Sequence, residues 1–268
     1  MTANEEHPTV QQLFDLTGRA ALVTGAAGYL GQAIAAALAE AGATVIASSR
    51  DRQRAEQAAA ELPSVNGTVH IGVQLDHKDE DSMRSGFADA VERSGGLDVL
   101  FNNGQGGPAD DWSSISADGF NEHLSNATGY FLLARLMRDH AVERSKPASI
   151  VMLGSMYGVV ASYPDAYEGL VPASSVAYHA LKGGVIHMTR HLAAYWAADG
   201  VRVNCLSPGP FPSEKANADM VVRLKQKTPM KRMGLPYELK GPALLLASDA
   251  GSYITGQNLL VDGGWTAW

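Results

Sequence analysis

Seven short runs rich in apolar and β-branched residues recur along the chain: RAALVTG, ATVIASS, TVHIGVQL, LDVLFNN, ASIVMLGS, VRVNCLS and NLLVDGG. Runs that apolar read as strands of a parallel sheet, because helices cover both faces of such a sheet and no alternate position has to be polar. Between them the spacing predicts helices over 30–40, 53–62, 80–93, 120–142, 178–198 and 237–247. In the fifth, Leu181, Val185, Met188, Leu192 and Trp196 recur at three- and four-residue intervals and form one apolar stripe. Regular alternation of strand and helix predicts a single α/β domain built on a doubly wound, seven-stranded parallel sheet. Its crossovers are right-handed and its ligands bind beyond the carboxyl ends of the strands. Residues 209–236 break the rhythm and are expected to form a helical excursion over the site, placed to act as a lid.

A length of 268 residues suits one such domain, and a hydrophobic fraction of 46% is ordinary for a globular chain. With 21 basic and 28 acidic residues the net charge is -7, and no run of lysines or arginines occurs. The charge pattern therefore carries no footprint of nucleic-acid or membrane-surface binding, and small-molecule partners are expected. Cys205, the single cysteine, cannot form an intrachain disulfide, and RVNCLSPG places it as a buried strand thiol. No segment reaches the roughly 18 uninterrupted apolar residues of a membrane span, and residues 1–16 carry acids early. A cytoplasmic protein without a metal site is the expectation.

The first strand runs into TGAAGYLG and then into an alanine-rich helix. Glycines at 25, 28 and 31 in a strand-to-helix turn let backbone approach a pyrophosphate, whose charge the free N–H groups and positive dipole end of the helix favour. In such dinucleotide-binding Rossmann units an acidic residue ending the second strand binds the adenosine ribose hydroxyls. Here Ser49 and Arg50 stand in that place, which favours NADP, with NAD the alternative. Further on, Tyr178 and Lys182 lie four positions apart, so the phenol and the ammonium share one helix face.

These pieces together resemble the short-chain dehydrogenase/reductase family over residues 16–264. The matching motifs, in order, are TGAAGYLG, the LD of VQLDHKD, NNGQ, SNATGYF, MLGSMYG, YHALK, RVNCLSPG and YITGQNLLVDGG. The resemblance implies that Asn126, Ser155, Tyr178 and Lys182 are catalytic. Tyr178 would transfer the proton, Lys182 would lower its pKa and bind the nicotinamide ribose, Ser155 would hold the substrate oxygen, and Asn126 would hold a water linking the lysine to solvent. It also implies that Leu75 and Asp76 lie near the adenine and that Asn102, Asn103 and Gly104 brace the cofactor side of the sheet. Pro208 and Gly209 of the SPG turn would cover the nicotinamide, Ser213 would touch the cofactor's phosphate or amide, Phe211 would be a further cofactor contact, and Ala27, Tyr29 and Leu30 complete the phosphate loop. A dimer or tetramer is implied as well, with helices 120–142 and 178–198 at one interface and the C-terminal WTAW at another.

Three departures bear on function. Tyr29 replaces the usual middle glycine of the loop, and Gln105 replaces the glycine of the family's NNAG-like turn. Ser155 and Tyr178 are 23 positions apart, against about a dozen in most members. The extra residues include Tyr163, Asp165, Tyr167 and Glu168, a polar and aromatic segment resembling that of members acting on sugars and sugar acids, gluconate 5-dehydrogenase-like proteins among them. With Gln105, Ser155 and Tyr157, these residues are the expected substrate contacts. The acids predict a preference for neutral sugars and polyols over sugar acids, unless His179 or Arg232 offsets them. Two other readings share the motifs: a 3-oxoacyl thioester reductase, and a cofactor-binding sensor without turnover.

Overall fold

A computed structural model describes residues 7–268. Strands β1 (Ala20–Thr24), β2 (Thr44–Ser49), β3 (Ile71–Gln74), β4 (Val99–Asn102), β5 (Ala148–Leu153), β6 (Val201–Pro208) and β7 (Asn258–Val261) form one sheet. Their order is β3-β2-β1-β4-β5-β6-β7, and every pairing is parallel. A short helix α1 (Val10–Phe14) precedes β1. Helices α2 (Tyr29–Glu40), α3 (Arg52–Ala60) and α4 (Glu80–Ser94) join the first four strands, and α5 (Ala117–Glu143) joins β4 to β5. After β5 come α6 (Pro164–Tyr167) and α7 (Val176–Trp196), and after β6 come α8 (Ala218–Lys227) and α9 (Lys240–Ala247).

Alternation along each strand sends successive side chains to opposite faces, and both faces are buried. On one, Leu22, Ile46, Leu100 and Ile150 meet Leu133 and Met137 of α5 and Leu181 and Val185 of α7. On the other, Val23, Val45, Phe101 and Val151 meet Ile34 and Leu38 of α2 and Leu246 of α9. The sequence stripe of α7 is therefore core on one side. Asp51, Asp79 and Ser116 cap α3, α4 and α5 by accepting from backbone N–H groups, which sets where these helices begin. Pro236 opens the last helical segment as a 3₁₀ turn, Pro236–Leu239, so the helix expected from 237 starts in α geometry only at Lys240.

Two features outside the βα rhythm face each other. Residues 209–236 carry α8, and the segment between Ser155 and Tyr178 carries α6, which periodicity does not reveal because it is a single turn started by Pro164. Leu224 of α8 is buried with Met156, Tyr157, Ala166, Met233 and Trp265 in a third, smaller apolar cluster. Trp265 is only 1% exposed within its own chain, whereas Trp268 is 67% exposed. The first tryptophan of WTAW thus closes this cluster, and Trp268 is the one that stays exposed.

The β3–α4 turn is pressed onto α5, where a Cβ added to Gly129 would lie 1.9 Å from the His77 carbonyl oxygen. Backbone atoms cannot yield as a side chain would. Gly129→Ala should therefore lower stability by at least about 1–3 kcal/mol, the usual cost of forcing atoms into a packed interior, read as a lower urea midpoint at an unchanged slope.

Candidate active site

The chain winds outward through β2 and β3 and returns to start β4 beside β1, and the cleft opens at this reversal, beyond the carboxyl ends of the strands. Its volume is about 500 Å³. One wall is the glycine turn before α2. Gly25 has φ +63, and a Cβ on Gly31 would lie 2.2 Å from the Gly25 carbonyl oxygen, so the helix can start this close to the strand only without a side chain there. Gly28 caps α2 and offers no side-chain acceptor, which leaves the first-turn N–H groups facing the cleft. That cradle suits a pyrophosphate in size and charge.

The floor is pinned by Thr24. Its Oγ1 donates to the Phe101 carbonyl at 3.2 Å and accepts from the N–H groups of Asn103 and Gly104 at 2.9 and 2.8 Å. Asn103 Nδ2 returns to the carbonyls of Thr24 and Gly25. At the far end Ser49, Arg50 and Arg54 line the cleft, and neither arginine is in an ion pair among the described residues. Leu75, Gly104, Gln105, Pro208, Gly209 and Phe211 also line it, together with Ala27, Tyr29 and Leu30 of the glycine turn. Tyr29 reaches across to donate to the Pro212 carbonyl at 3.1 Å, joining the glycine turn to the segment after β6.

Ser155, Tyr178 and Lys182 meet at the other end. Ser155 leaves β5 and caps the 3₁₀ turn Met156–Gly158, its Oγ accepting from the Tyr157 N–H at 3.1 Å, which leaves its one proton for Tyr178 or for a ligand that displaces that contact. The Lys182 side chain is buried behind this pair, donates to the Leu153 carbonyl at 2.6 Å and lies 5.6 Å from the ring centroids of both Tyr130 and Tyr178. Burial pushes its pKa down to about 8. Burial also raises that of Tyr178, against a smaller lowering by its hydrogen bond with Ser155. The expected lowering of the phenol by the ammonium is not found here: desolvation of the ring dominates, and the Lys182 Nζ is turned to a backbone carbonyl. Cys205 is a buried thiol raised to about 11, again by burial, and is no nucleophile.

Several expected contacts lie elsewhere. Asn102 is fully buried and donates to the Tyr130 carbonyl, so it braces α5 from within the sheet and does not line the cleft. Asp76 accepts from the Lys78 N–H and shapes the β3–α4 turn. Ser213 is not among the lining residues. The Asn126 side chain has no hydrogen bond left for a water: Oδ1 accepts from His77 Nε2 and Gly106 N, while Nδ2 donates to the carbonyls of Gly106 and His123.

The inserted segment packs beside the site and does not line it: Tyr157, Tyr163, Asp165, Tyr167 and Glu168 are absent from the cleft lining, and the three tyrosines gather with Tyr178 around the third apolar cluster. Tyr157 shares a hydrogen bond with Tyr167 and stacks on His179 at 4.6 Å, and Tyr163 meets Trp265 edge-on at 5.2 Å. Asp165 is instead turned outward to Lys227 of α8, and the Glu168 carbonyl accepts from Arg223. Arg232, expected as an offsetting cation, holds both oxygens of Glu238 and keeps that carboxyl at about 2. Sequence reasoning did not single out Thr24, Arg54, His77, Lys78, Gly106, Leu153 or Gly154, all of which line the cleft. Arg54, one helical turn beyond Arg50, was visible as spacing, and His77 stood inside a motif read only for its aspartate.

Comparison with known proteins agrees with this geometry. Residues 25–266 match the family model described as enoyl-(acyl carrier protein) reductase. The chain is 35% identical to galactitol 2-dehydrogenase of Rhizobium johnstonii, covering 96% of this chain and 99% of that one. It is 33% identical to a sorbose reductase of Schizosaccharomyces pombe, covering 94% and 98%. A gluconate 5-dehydrogenase of Burkholderia cenocepacia, solved with NADP and tartrate, superposes with a TM-score of 0.86 at 28% identity, covering 97% of this chain and all of that one. The chain belongs to the short-chain dehydrogenase/reductase family, the NAD(P)-dependent oxidoreductases acting on CH–OH groups.

The depressed Lys182 has a thermodynamic consequence. Between its folded pKa of about 8 and the unfolded value near 10.5 the unfolded chain binds the extra proton, so this residue makes stability rise with pH across that window. Below about pH 8 its burial cost is constant. Urea unfolding of the cofactor-free protein at pH 7.5 to 10.5 should show the rise as a wild-type minus Lys182→Met difference; a flat difference would place the lysine in water.

Proposed function

We propose that the chain is an NADP-dependent oxidoreductase that interconverts a secondary hydroxyl and a carbonyl on a neutral polyol or ketose. The observation that carries this reading is one cleft with Arg50 and Arg54 at one end and Ser155, Tyr178 and Lys182 at the other. The glycine turn and the α2 N-terminus would hold the pyrophosphate, the two arginines a 2′-phosphate, and Lys182 the nicotinamide ribose. The bound cofactor supplies or accepts the hydride.

In the reductive direction Tyr178 donates its phenolic proton to the substrate oxygen, which Ser155 holds once its O–H turns from Tyr178 to the substrate. In oxidation the tyrosinate takes the alcohol proton. With Tyr178 raised by burial, the base form depends on positive charge in the assembled site, which Lys182 supplies when protonated. Tyr157, Tyr163 and Tyr167 form an aromatic and hydroxyl-bearing flank suited to a sugar's alternating C–H and O–H faces, and α8 covers it as a lid. The Asp165 carboxylate is paired with Lys227, whereas that of Glu168 is in no ion pair among the described residues and disfavours an anionic substrate. The relatives acting on galactitol and sorbose support this substrate class.

A thioester reductase would dock a carrier on free cations. Of the four candidates near the site, Lys227 is paired with Asp165 and Arg232 with Glu238, Lys231 donates to the Gln226 carbonyl, and Lys225 is in no ion pair among the described residues. Two of the four cations are thus neutralised, which thins a carrier-docking patch. A dimer or tetramer and a cytoplasmic location go with the polyol reading. Among the described residues no helix is long and apolar enough to cross a membrane.

The Tyr178→Phe variant should lose about 10²- to 10⁴-fold in kcat while NADPH fluorescence titration stays near wild type. Retained turnover with hexitols and ketohexoses would remove the assigned proton donor. Separately, Arg50→Ala should weaken kcat/KM for NADP by about 10- to 100-fold with little change for NAD, the scale of a charge-assisted hydrogen bond. A wild-type enzyme that prefers NAD would overturn the cofactor assignment.

A further inference from the structure

His77 is buried in the β3–α4 turn and lies 49 positions from Asn126 in sequence, yet its Nε2 is 2.8 Å from Asn126 Oδ1. The direction of this bond follows from the neighbours. Gly106 N–H can only donate and approaches Oδ1 at 3.0 Å, while the carbonyls of Gly106 and His123 can only accept and take the two Nδ2 protons at 2.8 and 2.7 Å. The carboxamide is therefore oriented one way, and Nε2 must carry a proton. Burial holds the ring's pKa below the usual histidine range, against a smaller raising effect of the Asn126 bond. Asp76, Lys78 and Arg50 are the charged groups around it.

The surroundings are shaped to the ring. A Cβ on Gly104 would fall 3.0 Å from His77 Nδ1, and the His77 carbonyl occupies the space left by Gly129. The imidazole thus fills a slot between the cleft floor and α5. Gly106, which lines the cleft next to Gly104 and Gln105, is tied by both its N–H and its carbonyl to Asn126 and through it to this one side chain.

We propose that His77 is a positioning residue for the reaction, its Nε2–H locking the Asn126 carboxamide and through it the Gly104–Gly106 stretch of the cleft floor. The proposal rests on the reading of this cleft as the site of turnover. Anchoring of the cofactor at the α2 N-terminus, Arg50 and Arg54 does not pass through His77, so rate is affected more than affinity. Misplacement by about 1 Å can cost on the order of 10²-fold.

The test uses the whole protein with NADPH and a panel of ketohexoses and 3-oxoacyl thioesters. His77→Leu should lower kcat by about 10- to 100-fold with the NADPH Kd within about threefold, and His77→Gln, whose amide can put a donor near the Nε2 position, should recover to within about threefold of wild type. In an Asn126→Ala background His77→Leu should add less than about twofold, as expected for two residues acting as one unit. Histidine ¹⁵N NMR should show His77 as the Nε2–H tautomer with Nδ1 unprotonated at neutral pH. Wild-type kcat in His77→Leu, a Gln variant no better than Leu, or the Nδ1–H tautomer would each overturn the proposal. Turnover of thioesters alone would refute the polyol reading and leave His77 tested on the thioester, whereas a wild type that turns over nothing refutes both.

Discussion

The Thr24 hydroxyl joins the ends of β1 and β4 at the point where the winding of the sheet reverses. It is buried, donates once and accepts twice, so its hydrogen-bonding capacity is spent on fixing the position of Asn103 and Gly104 against the glycine turn. Everything the cleft offers a ligand hangs on that junction. The glycine turn takes its place from β1, the Gly104–Gly106 stretch from β4, and Ser155 from β5, the strand paired to β4. A parallel sheet makes this economical, since all strand ends point the same way and adjacent ends are held in register by backbone hydrogen bonds.

Burial governs the chemistry of the reacting end. Lys182 and Tyr178 are both removed from water, which favours the uncharged form of each and drives their pKa values apart, the lysine down and the tyrosine up. A lysine near 8 and a raised tyrosine leave a site whose protonation can be reset by charge brought in with a ligand. The same lysine on the surface would be a permanent cation with little influence on its neighbour.

The segment between Ser155 and Tyr178 and the excursion between β6 and α9 are distant in sequence and packed in space. Arg223 and Lys227 of α8 bind backbone and carboxylate of α6, while Tyr157, Trp265 and Leu224 bury apolar surface beneath them. The Asp165 carboxylate and the Glu168 backbone carbonyl thus hold two covering elements together, and the aromatic residues of the segment pack in the apolar cluster beneath them.

All seven strands, their parallel arrangement, the major helices and the Tyr178/Lys182 pair were legible in the sequence, because each is encoded by local periodicity: apolar runs for doubly covered strands, a three-and-four stripe for α7, glycine spacing for the turn before α2. Helix ends moved by a few residues where caps such as Ser116 and Asp51 set them. What periodicity could not reach were pairings between residues far apart in the chain. Asp165 turned to Lys227, Trp265 folded into its own subunit, Asn102 went behind the sheet, and Asn126 was claimed by His77. A side chain's type and spacing determine which chemistry it can perform, but which partner it meets depends on the packing of strands and loops tens of residues away, and burial, which sets the protonation of Lys182 and Tyr178, exists only once that packing has formed.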